Sequence, residues 1–277
     1  MKTLRLPSGR SIPVLGQGTW KIGEKSTQRQ SEIAALHYGL DRGMTLIDTA
    51  EMYGEGSAEQ VVAQAIALRR AEVFLVSKVY PHNATRQGAI AACERSLRRL
   101  QTDYLDLYLL HWRGSVPLAE TLEAFQSLKQ SGKIRDYGVS NFDLSDMKEA
   151  SRLPAGPMLA TNQVLYNLMR RGIEWDLLPW CRSQGLPIMA YSPIEQGRLL
   201  RHQVLQELAQ RRGTTPATLA IAWLLHQDDV IVIPKSSSIE HVEQNWAALE
   251  VRLTVEELAA LDVAFPPPSK RAALEML

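Results

Sequence analysis

Cysteine is nearly absent. Cys93 and Cys181 are the only two in 277 residues. Both sit in helix-patterned stretches, so no disulfide framework is available and both read as reduced packing residues. Net charge is nearly absent too. Thirty-one Lys and Arg stand against 30 Asp and Glu, a formal +1, which leaves no electrostatic case for nucleic acid or a membrane surface. No apolar run approaches the roughly 18 residues of a membrane span. Met1-Lys2-Thr3-Leu4-Arg5 has none of the apolar character of a signal peptide. Asn83-Ala84-Thr85 matches a glycosylation sequon, which means nothing without secretion. These absences predict a cytoplasmic protein whose partner is a small molecule. No exposed apolar stripe demands a second subunit, and a monomer is expected.

What is present is a hydrophobic share of 45%, enough for a sizeable core, and a regular beat. The length is long for one ordinary domain but normal for a single α/β barrel. Leu4 to Val14 alternates around Pro7-Ser8-Gly9-Arg10 and reads as a hairpin before the main fold. Strands then alternate with helices. Strands are predicted at 15–19, 45–48, 73–77, 104–110, 134–139, 160–165, 187–191 and 230–233. Helices fall between them, among them 31–41, 59–67, 86–100, 118–131, 174–184 and 239–249. Two helices, at 204–212 and 216–226, stand before the last strand, and one at 255–263 is a further extra. Eight βα-type units predict a parallel sheet closed into a (β/α)8 TIM barrel with an N-terminal hairpin and extra helices. No linker divides residues 1–277, so one domain is expected.

In such a barrel chemistry sits at the C-terminal ends of the strands. Three apolar strands end there on ionisable groups. The stretch Leu46-Ile47-Asp48-Thr49-Ala50-Glu51-Met52-Tyr53-Gly54 delivers a carboxylate and a phenol five residues apart. The next strand runs into Lys78, and the one after into His111. Each alone is open to a bland account: an Asp48–Lys78 ion pair at a barrel rim, Tyr53 and His111 as ordinary half-buried residues. Together they fit one mechanism. A free phenol has a pKa of about 10, and an adjacent Lys78 ammonium is expected to lower that of Tyr53. Asp48 holds Lys78 charged, and His111 orients a substrate oxygen. The set suits protonation of a carbonyl oxygen as hydride reaches its carbon.

Later strand ends point to the hydride source. Ser140-Asn141 and Gln163 pair donors and acceptors that can grip a carboxamide, with a helix N-cap as the alternative for the first pair. Tyr191 offers a stacking platform, or simply barrel packing. Pro234-Lys235-Ser236-Ser237-Ser238 precedes a helix. Its amides, lysine and hydroxyls suit a phosphate, the alternative being a Ser-capped helix beside a solvated lysine. Gly16-Gln17-Gly18-Thr19-Trp20 is no dinucleotide fingerprint: Lys21 stands where the third glycine belongs, and no acidic residue is placed for a ribose. A tight turn or a glycine pair beside a ligand remains.

Asp48-Thr49-Ala50 with Tyr53-Gly54, Ser77-Lys78, the run Leu105 to Trp112, Gly132-Lys133-Ile134-Arg135 with Gly138-Val139-Ser140-Asn141-Phe142, and Ile233-Pro234-Lys235-Ser236 resemble the aldo-keto reductases. The resemblance runs from Leu15 to Asp262 and is nearest the short bacterial branch of methylglyoxal and 2,5-diketo-D-gluconate reductase-like enzymes. It implies NADPH-dependent reduction of aldehydes and ketones, small reactive carbonyls such as methylglyoxal included. The cofactor is extended, without a Rossmann domain. Asp48, Tyr53, Lys78 and His111 match the family tetrad, with Tyr53 the acid and base. Ser140, Asn141 and Gln163 match the carboxamide grip, and Tyr191 the stacking residue. Gly18, Thr19 and Trp20 adjoin the cofactor. Ser192, Pro193, Ile194, Gln196 and Gly197 match the pyrophosphate loop. Lys235, Ser236 and Ser237 match the 2′-phosphate surroundings and Asn245 an adenine contact, while His241 and Gln244 stand at positions beside the adenine and 2′-phosphate. Trp20 and Trp112 match the walls of the substrate pocket.

Two departures from the family pattern stand out. His241 replaces a common arginine and Gln244 a common glutamate, so NADH is a further cofactor option. The connection after His111 and the stretch after Pro268 are short, which predicts an open pocket. Two rivals stand beside the reductase. One is a Schiff-base aldolase using Lys78; the other is a non-catalytic nicotinamide-binding sensor.

Overall fold

The computed structural model describes residues 1–277. A hairpin, β1 (Thr3–Arg5) and β2 (Ser11–Pro13), comes first. Eight strands follow: β3 (Gly16–Gly18), β4 (Leu46–Asp48), β5 (Phe74–Val79), β6 (Leu105–Leu110), β7 (Ile134–Ser140), β8 (Leu159–Leu165), β9 (Ile188–Tyr191) and β10 (Val230–Val232). They lie side by side in chain order, every pair parallel. The first and last meet. Leu15 bridges Val232, Gly18 bridges Lys235, and the Gly18 N–H donates to the Pro234 carbonyl at 2.9 Å. The sheet is therefore a closed barrel without edges. Gly18 is required at this seam, because a Cβ there would stand 2.9 Å from the Ile233 carbonyl.

Helices α1 (Arg29–Asp41), α2 (Ser57–Ile66), α3 (Arg86–Leu100), α4 (Leu118–Gln130), α5 (Leu144–Arg152) and α6 (Leu177–Ser183) return the chain between strands. Two helices, α7 (Gln203–Arg212) and α8 (Pro216–His226), stand between β9 and β10. Then come α9 (Ile239–Ala247) and α10 (Val255–Ala264). The helix expected over 174–184 begins only at Leu177. Asp176 breaks from helical dihedrals, and the Glu174 carboxylate before it is taken by Arg171 and the Tyr166 hydroxyl. Cys93 and Cys181 are buried and free, as expected.

The core has two shells. The larger fills the space between strands and helices. The smaller fills the barrel, where Leu46, Val76, Leu107, Leu109, Met189 and Ile231 meet Leu6 and Ile12 of the hairpin region. The hairpin is thus a floor that plugs the barrel. Arg10 pins it, pairing with Asp106 at 2.5 Å and Asp136 at 3.4 Å. With the floor closed, side chains pointing inward meet solvent only at the strand C-termini.

Candidate active site

Alternation along a strand sends every second side chain inward. Leu46, Val76, Leu109, Met189 and Ile233 belong to the inner cluster. Two residues beyond each stand Asp48, Lys78, His111, Tyr191 and Lys235. The open end of the barrel therefore collects them. Tyr53 arrives by a different route. After β4 the chain turns at Ala50, whose carbonyl accepts the Tyr53 N–H at 3.1 Å, and the phenol ring returns over Lys78, 4.9 Å from its Nζ. Gly54 and Glu55, both at positive φ (54° and 52°), then lead the chain away. Lys78 Nζ donates to Asp48 Oδ2 at 2.7 Å, to the Thr49 carbonyl at 2.9 Å and to the Tyr53 hydroxyl at 3.3 Å. The Tyr53 and His111 rings stand 5.8 Å apart, edge to face.

The electrostatics correct one expectation. Burial and the nearby Asp48 carboxylate push the Tyr53 phenol well above its usual 10. The Lys78 ammonium is in contact, as expected, but the net direction is up. The reason is that Asp48 offsets the charge of Lys78, so the phenol meets a neutral pair in a desolvated site. Burial also draws Lys78 down from 10.5, against the pull of Asp48. His111 is driven well below 6.5 by burial and by Lys78. Its imidazole is neutral near pH 7, and its Nδ1 has no partner.

Ser140, Asn141, Gln163 and Tyr191 form one network. The Tyr191 hydroxyl donates to Asn141 Oδ1 at 2.9 Å, and Asn141 Nδ2 donates to the His111 carbonyl at 3.1 Å. The Ser140 hydroxyl donates to the Gln163 carbonyl at 2.8 Å. Gln163 Nε2 donates to Asp48 Oδ1 at 2.8 Å. Ser140 and Asn141 are not helix caps: Asp143 caps α5, accepting the Asp146 N–H at 2.8 Å. Ser238, not Ser236 or Ser237, caps α9.

These residues surround a cavity of about 670 Å³. Its lining holds Gly18, Thr19, Trp20, Asp48, Tyr53, His111, Trp112, Ser140, Asn141, Gln163 and Tyr191. It continues through Ser192, Pro193, Ile194, Gln196, Gly197 and Lys235. Lys78 lies beneath it, fully buried. Ser236 and Ser237 lie outside the lining, in the loop beside Lys235, with Ser237 Oγ 3.4 Å from Lys235 Nζ. Also outside it, on α9, are His241, exposed, Gln244, half-buried, and Asn245, buried.

Sequence reasoning missed several residues. Met52 and Lys21 also line the cavity; Lys21, at positive φ, lies over Trp20 at 4.3 Å. So do Met276 and Leu277. The pocket is therefore less open than its short loops predict, because the tail folds back over it. Arg170 pairs with Glu275, and Arg271 with Asp176 at 3.0 Å. Glu195 was missed as well. It is fully buried under the loop after β9 and accepts from Asn167 at 2.8 Å, Arg170 at 3.0 Å and Arg198 at 2.7 Å. This anchor holds Ser192, Glu195 and Gln196 at positive φ. An acid two residues before a glycine was the only signal in the sequence; its burial belongs to the fold.

A sequence model described as the aldo/keto reductase family matches residues 14–264. This chain belongs to the aldo/keto reductase family. It is similar to methylglyoxal reductase YeaE of Escherichia coli K12, at 53% identity over 100% of this chain and 99% of the relative. Glyoxal reductase of Bacillus subtilis is 33% identical over 94% of this chain and 91% of its own length. An aldo/keto reductase from Klebsiella pneumoniae, crystallised with NADP and acetate, superposes with a TM-score of 0.97. It is 53% identical, covering 100% of this chain and 99% of its own. The (β/α)8 fold and the family expected from the motifs both hold.

Proposed function

We propose that this aldo/keto reductase reduces small aldehydes and ketones, dicarbonyls such as methylglyoxal among them, with NADPH, and that Tyr53 is the proton donor. The single observation that carries the reading is the Lys78 contact set: Asp48, Thr49 and Tyr53 within 3.3 Å of one buried ammonium.

The residues present fit the cofactor. Lys235 is half-buried, and no carboxylate pairs with it; its one side-chain bond is to Ser237. A lysine so placed suits a phosphate anion. The loop 192–197, with Ser192, Glu195, Gln196 and Gly197 at positive φ, lines the cavity near Lys235. When the cofactor is bound, its dihydronicotinamide supplies the hydride.

The rest is done by the chain. Tyr53 stays protonated through neutral pH and carries the proton to the carbonyl oxygen. Lys78 stands against the same hydroxyl and favours the phenolate left behind. His111, neutral, offers a hydrogen bond to that oxygen and orients it. Trp20 and Trp112 give the pocket its apolar walls. Ser140, Asn141, Gln163 and Tyr191 would receive the nicotinamide. The loop residues Ser192, Pro193, Ile194, Gln196 and Gly197 would hold the pyrophosphate. Lys235, Ser236 and Ser237 would take the 2′-phosphate end, with His241, Gln244 and Asn245 toward the adenine.

A lysine whose ammonium already serves three acceptors is a poor Schiff-base nucleophile, which disfavours the aldolase reading. The test is oxidation of NADPH and of NADH, followed at the nicotinamide absorbance with methylglyoxal and an aldehyde panel. Turnover that Tyr53→Phe lowers by at least about 10²-fold is expected. Wild-type protein silent with every carbonyl would overturn the reading.

A further inference from the structure

A second polar cleft lies outside the barrel, where α2 and α3 face each other beside the start of α1. Its volume is about 440 Å³. Four arginines, Arg29, Arg95, Arg98 and Arg99, and three glutamines, Gln60, Gln64 and Gln101, make the whole lining. No carboxylate and no apolar side chain takes part. In a chain of net charge +1 this is a local concentration of one sign.

The charges are only half neutralised. Arg95 reaches back to Glu51 at 3.5 Å, and Arg99 to the fully buried Glu59 at 2.5 Å. Arg29 donates to the neutral Gln64 at 3.0 Å. Glu94, one turn before Arg98 on α3, is taken instead by Lys133 at 2.5 Å. Two guanidiniums thus remain without an acid, next to two whose acids lie behind them. Water screens the exposed Arg98, but four guanidiniums this close still make a positive field that an anion would relieve.

The residue types say which anion. Guanidinium forks match tetrahedral oxyanions in bidentate fashion, and the lining holds no lysine in their place. Carboxamides both donate and accept, which suits hydroxyls beside the charge. Gln60 and Gln64 stand four apart on α2, as Arg95 and Arg99 do on α3, so each pair shares a helix face. We propose that this cleft is a second ligand site, for a small molecule that carries a phosphate or pyrophosphate group.

The site has a route to the catalytic end. Glu59 accepts the Ser77 hydroxyl at 2.7 Å, one residue before Lys78. Glu51 accepts the Tyr80 N–H at 2.8 Å and Asn83 at 3.0 Å. A phosphate that draws Arg95 and Arg99 outward takes charge from the two acids that brace the end of β5.

The test is calorimetric titration of the protein at low salt, saturated with NADPH so that the barrel cavity is filled. The titrants are pyrophosphate, glucose 6-phosphate and inorganic phosphate. Saturable one-to-one binding is expected, weakened at least ~10-fold in Arg29→Gln/Arg98→Gln while NADPH affinity is kept. Gln60→Glu, which removes no arginine but adds a carboxylate to the cleft, should weaken it in the same direction. Tighter binding of glucose 6-phosphate than of phosphate assigns a phosphorylated metabolite; equal binding assigns the bare phosphate group. No saturable heat up to roughly 10 mM, or equal affinity in both variants, overturns the proposal. The readout is binding, so it stands or falls apart from the reductase reading.

Discussion

Gln163 donates its amide N–H to the Asp48 carboxylate at 2.8 Å, on the oxygen that Lys78 leaves free. Asp48 is thereby held from both sides of the barrel. The other amide N–H of Gln163 points to the Met189 sulfur at 2.9 Å, so only its Oε1 remains for a ligand, and in the proposed grip on a carboxamide Gln163 can only accept. A hydrogen bond to a charged group contributes about 1.5–3 kcal/mol. Gln163→Leu is accordingly expected to lower kcat by roughly tenfold or more as well as to raise KM for NADPH. A change in KM alone, with kcat intact, would mean that the Asp48 contact has no catalytic consequence.

The pH dependence follows from two shifts of opposite direction. Tyr53 is raised well above 10 and His111 lowered well below 6.5. Above its lowered pKa the imidazole is neutral, and below its raised pKa the phenol is protonated. Both groups are therefore in their working forms across the neutral range, and kcat for carbonyl reduction should be flat from about pH 6 to 9. Loss is expected only on the alkaline side, as the phenol ionises. An inflection near 6.5 in the kcat profile would place the proton transfer on His111 instead.

Lys78 and Asp48 are a fully buried pair. Removing one partner strands the other charge, at about 3–5 kcal/mol. Lys78→Met is thus expected to be inactive and to lose roughly 10 °C in Tm. Lys78→Met/Asp48→Asn removes the stranded charge and should recover part of that loss while activity stays absent. Thermal unfolding by circular dichroism decides between them. A double variant no more stable than the single one would show that repacking, not charge, dominates at this position.

Much of this site was legible because strand periodicity carried it. Leu46, Val76, Leu109, Met189 and Ile233 announce the inward face, and the polar residue two positions on in each case lands in or beneath the cavity. What was illegible depends on contacts distant in sequence. Arg170 binds both Glu195 and Glu275, so the tail reaches the pocket through a link that no local pattern carries. The direction of the Tyr53 shift was illegible for a related reason. Counting neighbouring charges finds both Lys78 and Asp48, but the burial that pushes the phenol up most exists only in the folded barrel.

Lys235 tests the cofactor end. Burial lowers its pKa, and a bound dianion would reverse that shift by favouring the charged form. Lys235→Met removes the cation and is expected to raise KM for NADPH by tenfold or more, about 1.4 kcal/mol, with KM for NADH little changed. Equal effects on both cofactors would mean that the ammonium faces something other than the 2′-phosphate.

Glu195 tests whether the loop after β9 is held in advance of binding. Its carboxylate is buried among Asn167, Arg170 and Arg198, and Glu195 itself, Ser192 and Gln196 sit at positive φ. Such a conformation costs on the order of 1–3 kcal/mol per residue and persists only where other contacts over-determine it. Glu195→Gln keeps the shape but removes the charge that both arginines meet. The loop then relaxes, and ordering it again is charged to binding. The expected result is a higher KM for NADPH with kcat for bound substrate largely kept. Arg170→Met should do the same through the other partner, and it also frees Glu275 of the tail. A fall in kcat with KM unchanged would move Glu195 from cofactor binding to the chemistry itself.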